Sequence, residues 1–528
     1  MSPIRLTLFA LLPLCSSALR AQTVMADTET WNESHVNATA NIQYGGSNPV
    51  SIAYNEVKKY GVARVNYNYA SGDFRRPDCP GKDRQLGVYI GGLQNVKKFD
   101  LAGSFSYNNA QRGDMRWNST LGLNPYNPFI LADSVMADRT VETFDLHANG
   151  VYSISERWKA GLQIAFTSSR LSDQTDPRPE TSMSRFPITV GAEYTLSERM
   201  RLGLALNGSF YRSDIDYTLI NPLNYYQYFL MKGNGDYYRR SSADVSGYER
   251  EYKGTTYGGA LQMTNLISDQ RTNYLEVGYS LGNEDAVDQG NMPFRGGDYS
   301  YGKMTLSDRF QWQCNRTRHN VILSMQYATG EGTWYDQKRK VDTEHGNRQY
   351  YDILSKYKVY SHTNIGAQLG YSLATYNTQG QRDLLVDATV GMRNDENKHI
   401  DVQPTMQKGT LLDVQAAVGK FFPIGKAGLD AILRGGYQMP LSTSFADAST
   451  LLGENLSASY TAPMFQYTYA QAFHVGAQLD AHMPASQNIT CGITLTANYQ
   501  RCLDDCKWAK SYESTQRTYV DAGIYMKF

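Results

Sequence analysis

The side chains best able to do chemistry are spread thinly along this chain. Eight histidines stand at positions 35, 147, 319, 345, 362, 399, 474 and 482, and none has the spacing from Ser, Asp or a metal ligand that identifies a hydrolase. The acidic stretches GNEDAVDQ and RNDENKHID, and DTEH ending at His345, offer oxygen ligands of the kind calcium takes. They lack the spacing of a calcium loop, so solvated loop charge is the expected reading. No catalysis, cofactor or metal is therefore expected. Of six cysteines, Cys15 lies in the N-terminal apolar segment and five remain. Cys79, Cys502 and Cys506 fall in the first and last of the long polar segments, which become neighbours if the chain closes on itself. A disulfide between Cys502 and Cys506, or from either to Cys79, is feasible on an oxidising export route. Cys491 alternates with Ile489, Ile493 and Leu495 and is expected on an apolar face, while Cys314 adjoins a short turn.

The elements that must position these residues alternate with period two. At the C-terminus Val520, Ala522, Ile524, Met526 and Phe528 take one face, and Asp521, Gly523 and Lys527 take the other. Leu275, Val277, Tyr279 and Leu281 oppose Glu276, Gly278, Ser280 and Gly282 in the same way, and Leu384 to Met392, Leu412 to Val418 and Ala160 to Phe166 repeat the pattern. Forty Tyr and 45 Gly with few Pro agree with β-structure throughout.

The first 21 residues have Arg5, an apolar run from Leu6 to Leu14 and a cleavage point after Ala21, the form of a secretory signal peptide. No later run is long and apolar enough for a membrane helix, and mean hydropathy is −0.50. Lys and Arg together number 51, as do Asp and Glu, so there is no basic footprint for nucleic acid. Breaks between strands fall into two alternating classes. Short links occur near 95–98, 155–157, 197–199, 268–271, 315–318, 376–381, 423–426 and 484–487; long ones cover 72–83, 109–140, 171–184, 213–252, 284–297, 332–354, 395–407, 439–467 and 502–513. Short turns on one side and long loops on the other are the pattern of a transmembrane up-and-down antiparallel β-barrel of the outer membrane. Counting between breaks gives about 18 strands (16 to 20) over residues 58–528, after an N-terminal segment, 22–57, that is periplasmic or plugs the lumen.

Alternation places Arg64, Asp145, His147, Lys159, Arg201, Glu276, His362, Asp387, Arg393, Asp413, Asp430, Arg434 and Asp521 on the lumen side. Their mixed sign favours passage of small polar solutes over strong ion selectivity. In the longest loop Tyr225, Tyr226, Tyr228, Tyr237, Tyr238, Arg239 and Arg240 have the composition of a binding surface for sugars, peptides or a partner, or of an aromatic girdle packed on itself.

The ending at Phe528, with apolar residues at every second position before it, resembles the terminal signature of outer-membrane barrels. The resemblance implies that Phe528 is an assembly signal read by the barrel assembly machinery. GGSNPVSIAY, with Asn48 and Pro49, looks like the Asn-Pro turn after the N-terminal hatch of long-chain fatty-acid transporter barrels. The whole chain resembles uncharacterised outer-membrane barrels of Gram-negative bacteria that accompany energised uptake receptors. The expectation is a porin-like channel or accessory component for uptake of small polar solutes in contact with outer-membrane lipid. The alternative is a non-conducting surface scaffold whose loops bind an uptake receptor.

Overall fold

The computed structural model describes residues 41–528 except 222, 243–246, 290–291, 345, 347, 379–381, 401–403, 448–455 and 505–514. The signal peptide read at 1–21, His35, His345 and Cys506 lie outside the described residues. Among the described residues no helix is long and apolar enough to cross a membrane.

Twenty-one strands follow one another: β1 (Lys59–Gly72), β2 (Lys82–Val96), β3 (Phe99–Met115), β4 (Leu131–Ala132), β5 (Ala137–Ser153), β6 (Trp158–Asp173), β7 (Pro179–Ser197), β8 (Met200–Thr218), β9 (Gln227–Gly233), β10 (Asp236–Ser241), β11 (Gly247–Ser268), β12 (Arg271–Asp288), β13 (Phe294–Cys314), β14 (Thr317–Asp342), β15 (Arg348–Tyr376), β16 (Arg382–His399), β17 (Thr405–Ile424), β18 (Ala427–Ser444), β19 (Ala472–Pro484), β20 (Thr490–Cys502) and β21 (Gln516–Lys527). Eighteen of them form one antiparallel sheet in which each strand pairs with its neighbour in the chain, and β21 returns to pair with β1. The fold is thus a closed 18-stranded antiparallel barrel. β4, β9 and β10 form a separate three-stranded sheet.

Closure runs from Val62 opposite Lys527 to Gly72 opposite Arg517. Phe528 completes it: its carbonyl accepts from the Gly61 amide at 2.7 Å and its own amide donates to the Gly61 carbonyl at 3.0 Å. The ring lies where a Cβ on Gly61 would stand 2.4 Å away, so only glycine fits beneath it. The apolar set of β21 is exposed outside, while Asp521, Gly523, Tyr525 and Lys527 are buried inside. The same division holds round the wall, with Leu206 52% and Leu433 68% exposed on the outer face. Aromatic side chains border this face near the short turns, where Trp158 lies 4.7 Å from Tyr194 and Phe99 4.8 Å from Tyr152. A second aromatic level includes Phe144 and Phe166. The rise from Trp158 to Phe166 is roughly 20 Å at about 3.3 Å per residue and a tilt near 40°, close to the height of an apolar band in hydrocarbon.

The strands are longer than the sequence suggests. The segment 332–354, expected as a loop, is mostly ladder, because β14 and β15 stay paired out to Asp342 and Arg348. The acidic stretch 284–288 and the stretch 393–399, read as loops, lie in β12 and β16. At the upper ends of β14 and β15 period-two alternation fades because both faces meet water. In 284–288 and 393–399 the inner face instead carries buried polar residues, Glu284, Asp288, Arg393, Asp395 and His399, so charge there marks packing inside the wall rather than a loop.

The outer face makes a direct prediction. Leu206→Arg should cost about 2–4 kcal/mol if it sits near the bilayer midplane, and Asn207→Arg, on the adjacent inner-facing position, should cost much less. Urea midpoints of the two variants refolded in lipid would check this.

Candidate functional site

The interior is occupied by chain at both ends. Near the short turns, residues 41–55 lie against the inner wall. Asn48 starts a 3-10 turn over Pro49–Tyr54, accepting from the Val50 amide at 3.0 Å, with Pro49 supplying the fixed φ of a first helical position. Three glycines form the floor beneath it. A Cβ on Gly161 would stand 2.9 Å from the Pro49 Cβ, one on Gly191 2.2 Å from the Asn48 Oδ1, and one on Gly203 3.0 Å from the Asn48 Nδ2. These glycines come from β6, β7 and β8, so the close approach is made by the barrel itself.

Charged wall residues hold this segment. Ser47 donates from its amide and hydroxyl to Glu276 at 3.0 and 2.9 Å, and Tyr274 donates to the same carboxylate at 2.7 Å. Gln43 donates to Glu193 at 2.8 Å and to Thr264 at 2.9 Å. The Tyr54 hydroxyl donates to Glu193, and the Tyr54 ring carries Arg201 at 3.9 Å and Lys159 at 4.9 Å. Arg309 donates to the Tyr44 carbonyl. The arrangement buries few apolar groups and many satisfied polar ones.

The other end is closed by loops that turn inward. The segment 116–136 crosses the lumen between β3 and β5 and reaches the opposite wall. Asn124 and Asn127 donate to Glu284, Tyr126 stacks on His362 at 4.2 Å and donates to Asp395 at 3.2 Å, and the Phe129 carbonyl accepts from Arg250 and Tyr252. The Phe129 ring presses on Gly297, whose φ of +123° and 2.4 Å clearance both call for glycine. β4 then pairs with β9, and the β9–β10 hairpin lies over the crossing segment, joined to β16 by His399 and Asp236 at 2.9 Å. A short helix α1 (Ala462–Thr468) and the turn before it complete this layer, with Tyr460 5.5 Å from Trp117. Phe129, Leu131, Tyr228, Tyr248, Tyr299, Trp334 and their neighbours form a buried apolar cluster. In the loop, burial raises the carboxyl of Asp133, opposed by Arg139.

The residues expected on the lumen side separate into groups. Lys159, Arg201 and Glu276 hold the N-terminal segment. Arg64 pairs with Asp521 at 2.7 Å, Arg393 with Asp395 at 2.5 Å, and Asp430 with Arg382. Arg434 donates to Gln478 at 2.6 Å, and Gln415 to Asp413 at 2.7 Å. His362 is buried between Tyr126 and Tyr299. Asp387 faces inward half-buried; Asp145 accepts from Thr167 at 2.6 Å, and His147 beside it is exposed, as is Asn207 on β8. A polar zone open to solvent thus lies on β5 and β8 between the two filled ends.

In the longest loop Tyr228 and Tyr237 are buried in the outer layer, whereas Tyr225, Tyr238 and Arg239 are exposed and Tyr226 and Arg240 half-buried. Two of the seven expected binding residues therefore serve packing, because this loop folds inward as a hairpin. The residues that sequence reasoning missed, Glu193, Glu284, Arg250, Asp288 and the three floor glycines, carry no local signal. Only the tertiary path of the plugging segments gives them a role.

The cysteines also sort out. Cys502 is disulfide-bonded, whereas Cys79 is a buried thiol outside any disulfide, which removes the pairings that included it. Cys491 lies on the outer face opposite Met526, and Cys314 is exposed beside its turn.

A family of unknown function, DUF6850, matches residues 49–528. The chain belongs to that family. The DUF6850 match covers the whole barrel and begins at Pro49, so the likeness of Asn48-Pro49 to fatty-acid transporters is a local one, explained here by the capped turn on its glycine floor. No curated protein matches this DUF6850 chain. Solved structures to which it is similar include the copper transporter OprC (10% identity, 88% of this chain and 81% of that one, TM-score 0.40). The RagAB peptide importer (8%, 90% and 87%, 0.41) and the ferric yersiniabactin uptake receptor FyuA from Yersinia pestis (10%, 89% and 79%, 0.41) are others.

Burial pushes the Cys79 thiol up to about 12, with Asp78 adding to the effect, so little thiolate exists at neutral pH. In folded protein at pH 7, a maleimide should label Cys314 within minutes and leave Cys79 unmodified until the barrel is unfolded, as mass spectrometry of the peptides would show.

Proposed function

We propose that this protein is an outer-membrane barrel of Gram-negative type that admits small polar solutes through a lumen controlled by its own plugging segments. The observation that carries this reading is the pairing of a polar, solvent-exposed zone at His147 and Asn207 with an N-terminal segment held by hydrogen bonds on a floor of three glycines. An aqueous zone has no structural purpose in a wall whose strength lies in its ladder. A segment held by polar groups can leave, because water replaces each bond at a net cost of only about 0.5–1.5 kcal/mol, more for the charged partners. Phe528 acts as the assembly signal, and lipid and the assembly machinery are the expected partners.

A second reading has its own observation. β14 and β15 run 26 and 29 residues against 12 or 13 for β19 to β21, so one hairpin stands above the rest of the wall. Its upper part exposes Val341, Tyr350, Ile353 and Leu354. Apolar side chains on a projecting arm suit contact with a partner such as an energised uptake receptor, the scaffold role.

Planar bilayers separate the two. Wild-type protein should give current steps of uniform size, and Gly191→Val, which fills the space of the Asn48 side chain, should raise the open probability or the step. Folded, heat-modifiable protein that stays silent in both forms would overturn the channel and favour the scaffold.

A further inference from the structure

A cavity of about 360 Å³ lies inside the wall towards the long-loop end, lined by β1, β2, β3, β6 and β21, the loop 73–81, the crossing segment and α1. Its size is at the lower end for small-molecule sites. Its described lining includes four arginines, Arg75, Arg76, Arg112 and Arg517, and two aspartates, Asp78 and Asp83. Part of the wall is apolar, formed by Met115, Leu121, Ile130 and Leu171.

The carboxylates are already engaged. Asp78 takes two hydrogen bonds from Arg76 at 2.9 and 2.5 Å, and Asp83 lies 3.6 Å from Arg112. Arg75 donates to the carbonyls of Cys79 and Asp114. Arg517 is 5% exposed. It donates to the Gly72 carbonyl at 2.9 Å and lies 5.3 Å from the Tyr519 ring, and among the described residues no carboxylate stands within ion-pair distance of it. A guanidinium so withdrawn from water is costly unless an anion comes to it, and its planar fork matches a carboxylate in two-pronged geometry.

We propose that this cavity binds a small organic carboxylate, with the anionic group on Arg517 beside Arg75 and the apolar body against Leu121 and Leu171. The site deepens the uptake reading, on which it rests for its biological purpose, by naming the class of solute. Binding itself does not require conduction. A compound with both parts uses the whole lining, whereas a bare inorganic anion leaves the apolar wall facing water and a neutral analogue brings no charge to the buried Arg517 guanidinium.

Calorimetry on the full-length barrel in detergent tests this with benzoate, benzyl alcohol and inorganic phosphate. Benzoate should bind saturably, with benzyl alcohol and phosphate each at least about tenfold weaker, a difference a single charge-assisted pair can supply. Arg517→Gln should reduce benzoate affinity by a similar factor, and Leu121→Glu, a loop change that places a carboxylate in the cavity, should abolish binding should the first variant fail to fold. Arg212→Gln, at an exposed arginine on β8 away from the cavity, should bind as wild type. The proposal is overturned by absent saturable benzoate binding to folded protein, by binding undiminished in Arg517→Gln and Leu121→Glu, or by phosphate or benzyl alcohol matching benzoate. Benzoate binding by a barrel that is silent in bilayers would defeat the uptake reading and leave the site standing; current without benzoate binding would do the reverse.

Discussion

In hydrocarbon no backbone amide or carbonyl can find water, so each must pair within the protein, and a sheet can satisfy that only by closing. The seam between β1 and β21 is where this chain meets the condition, and Gly61 and Phe528 exchange the bonds that finish it. Much else follows from closure. A closed wall has one inside and one outside, so period-two alternation sends one set of side chains to the outer face along every strand. The polar set is then forced together in the interior, where it must be paired, hydrated or covered.

Eighteen strands make the interior too wide for side chains alone to fill. The protein fills it with chain, and the lumen-facing charges follow from that. Glu276, Glu193, Arg201 and Arg309 hold the N-terminal segment, and Glu284, Arg250 and Asp395 hold the crossing loop. Others pair along the wall, as Arg64 does with Asp521 and Arg382 with Asp430. Mixed sign in the lumen therefore records anchoring. Glycine has the corresponding steric part, because plugging backbone approaches the wall only where no Cβ intervenes, at Gly161, Gly191 and Gly203 below and Gly297 above.

The wall was legible in the sequence because its rule is local. Two residues set the face, and the alternation of short and long breaks sets the strand number. The hairpin extensions were not legible, since beyond the membrane both faces of β14 and β15 meet water and the apolar signal disappears although the ladder continues. The plug contacts were illegible for a different reason. Gly161, Gly191 and Gly203 come from three separate strands and become one floor only when neighbouring strands align, and Tyr228 reads as an exposed loop aromatic until its hairpin turns inward. Arg517 looks like an ordinary strand-end charge, and its withdrawal from water depends on the loop 73–81 lying over it.

The two plugs differ in kind, and the difference decides which could move. The outer layer buries Phe129, Leu131, Tyr228, Tyr248, Trp334 and their neighbours as a continuous apolar cluster, and exposing such side chains costs about 1.5–3 kcal/mol each. Removing that layer would resemble unfolding a small domain. The N-terminal segment is held mostly by hydrogen bonds that water can replace, and it rests on glycines that offer contact but little apolar area. It passes through Lys58 into β1, whereas the crossing segment is tied at both ends to β3 and β5. A passage that opens without dismantling the barrel would therefore begin at the short-turn end, with the outer layer remaining as a fixed filter whose gaps, including the arginine-lined cavity, set what reaches the polar zone beneath.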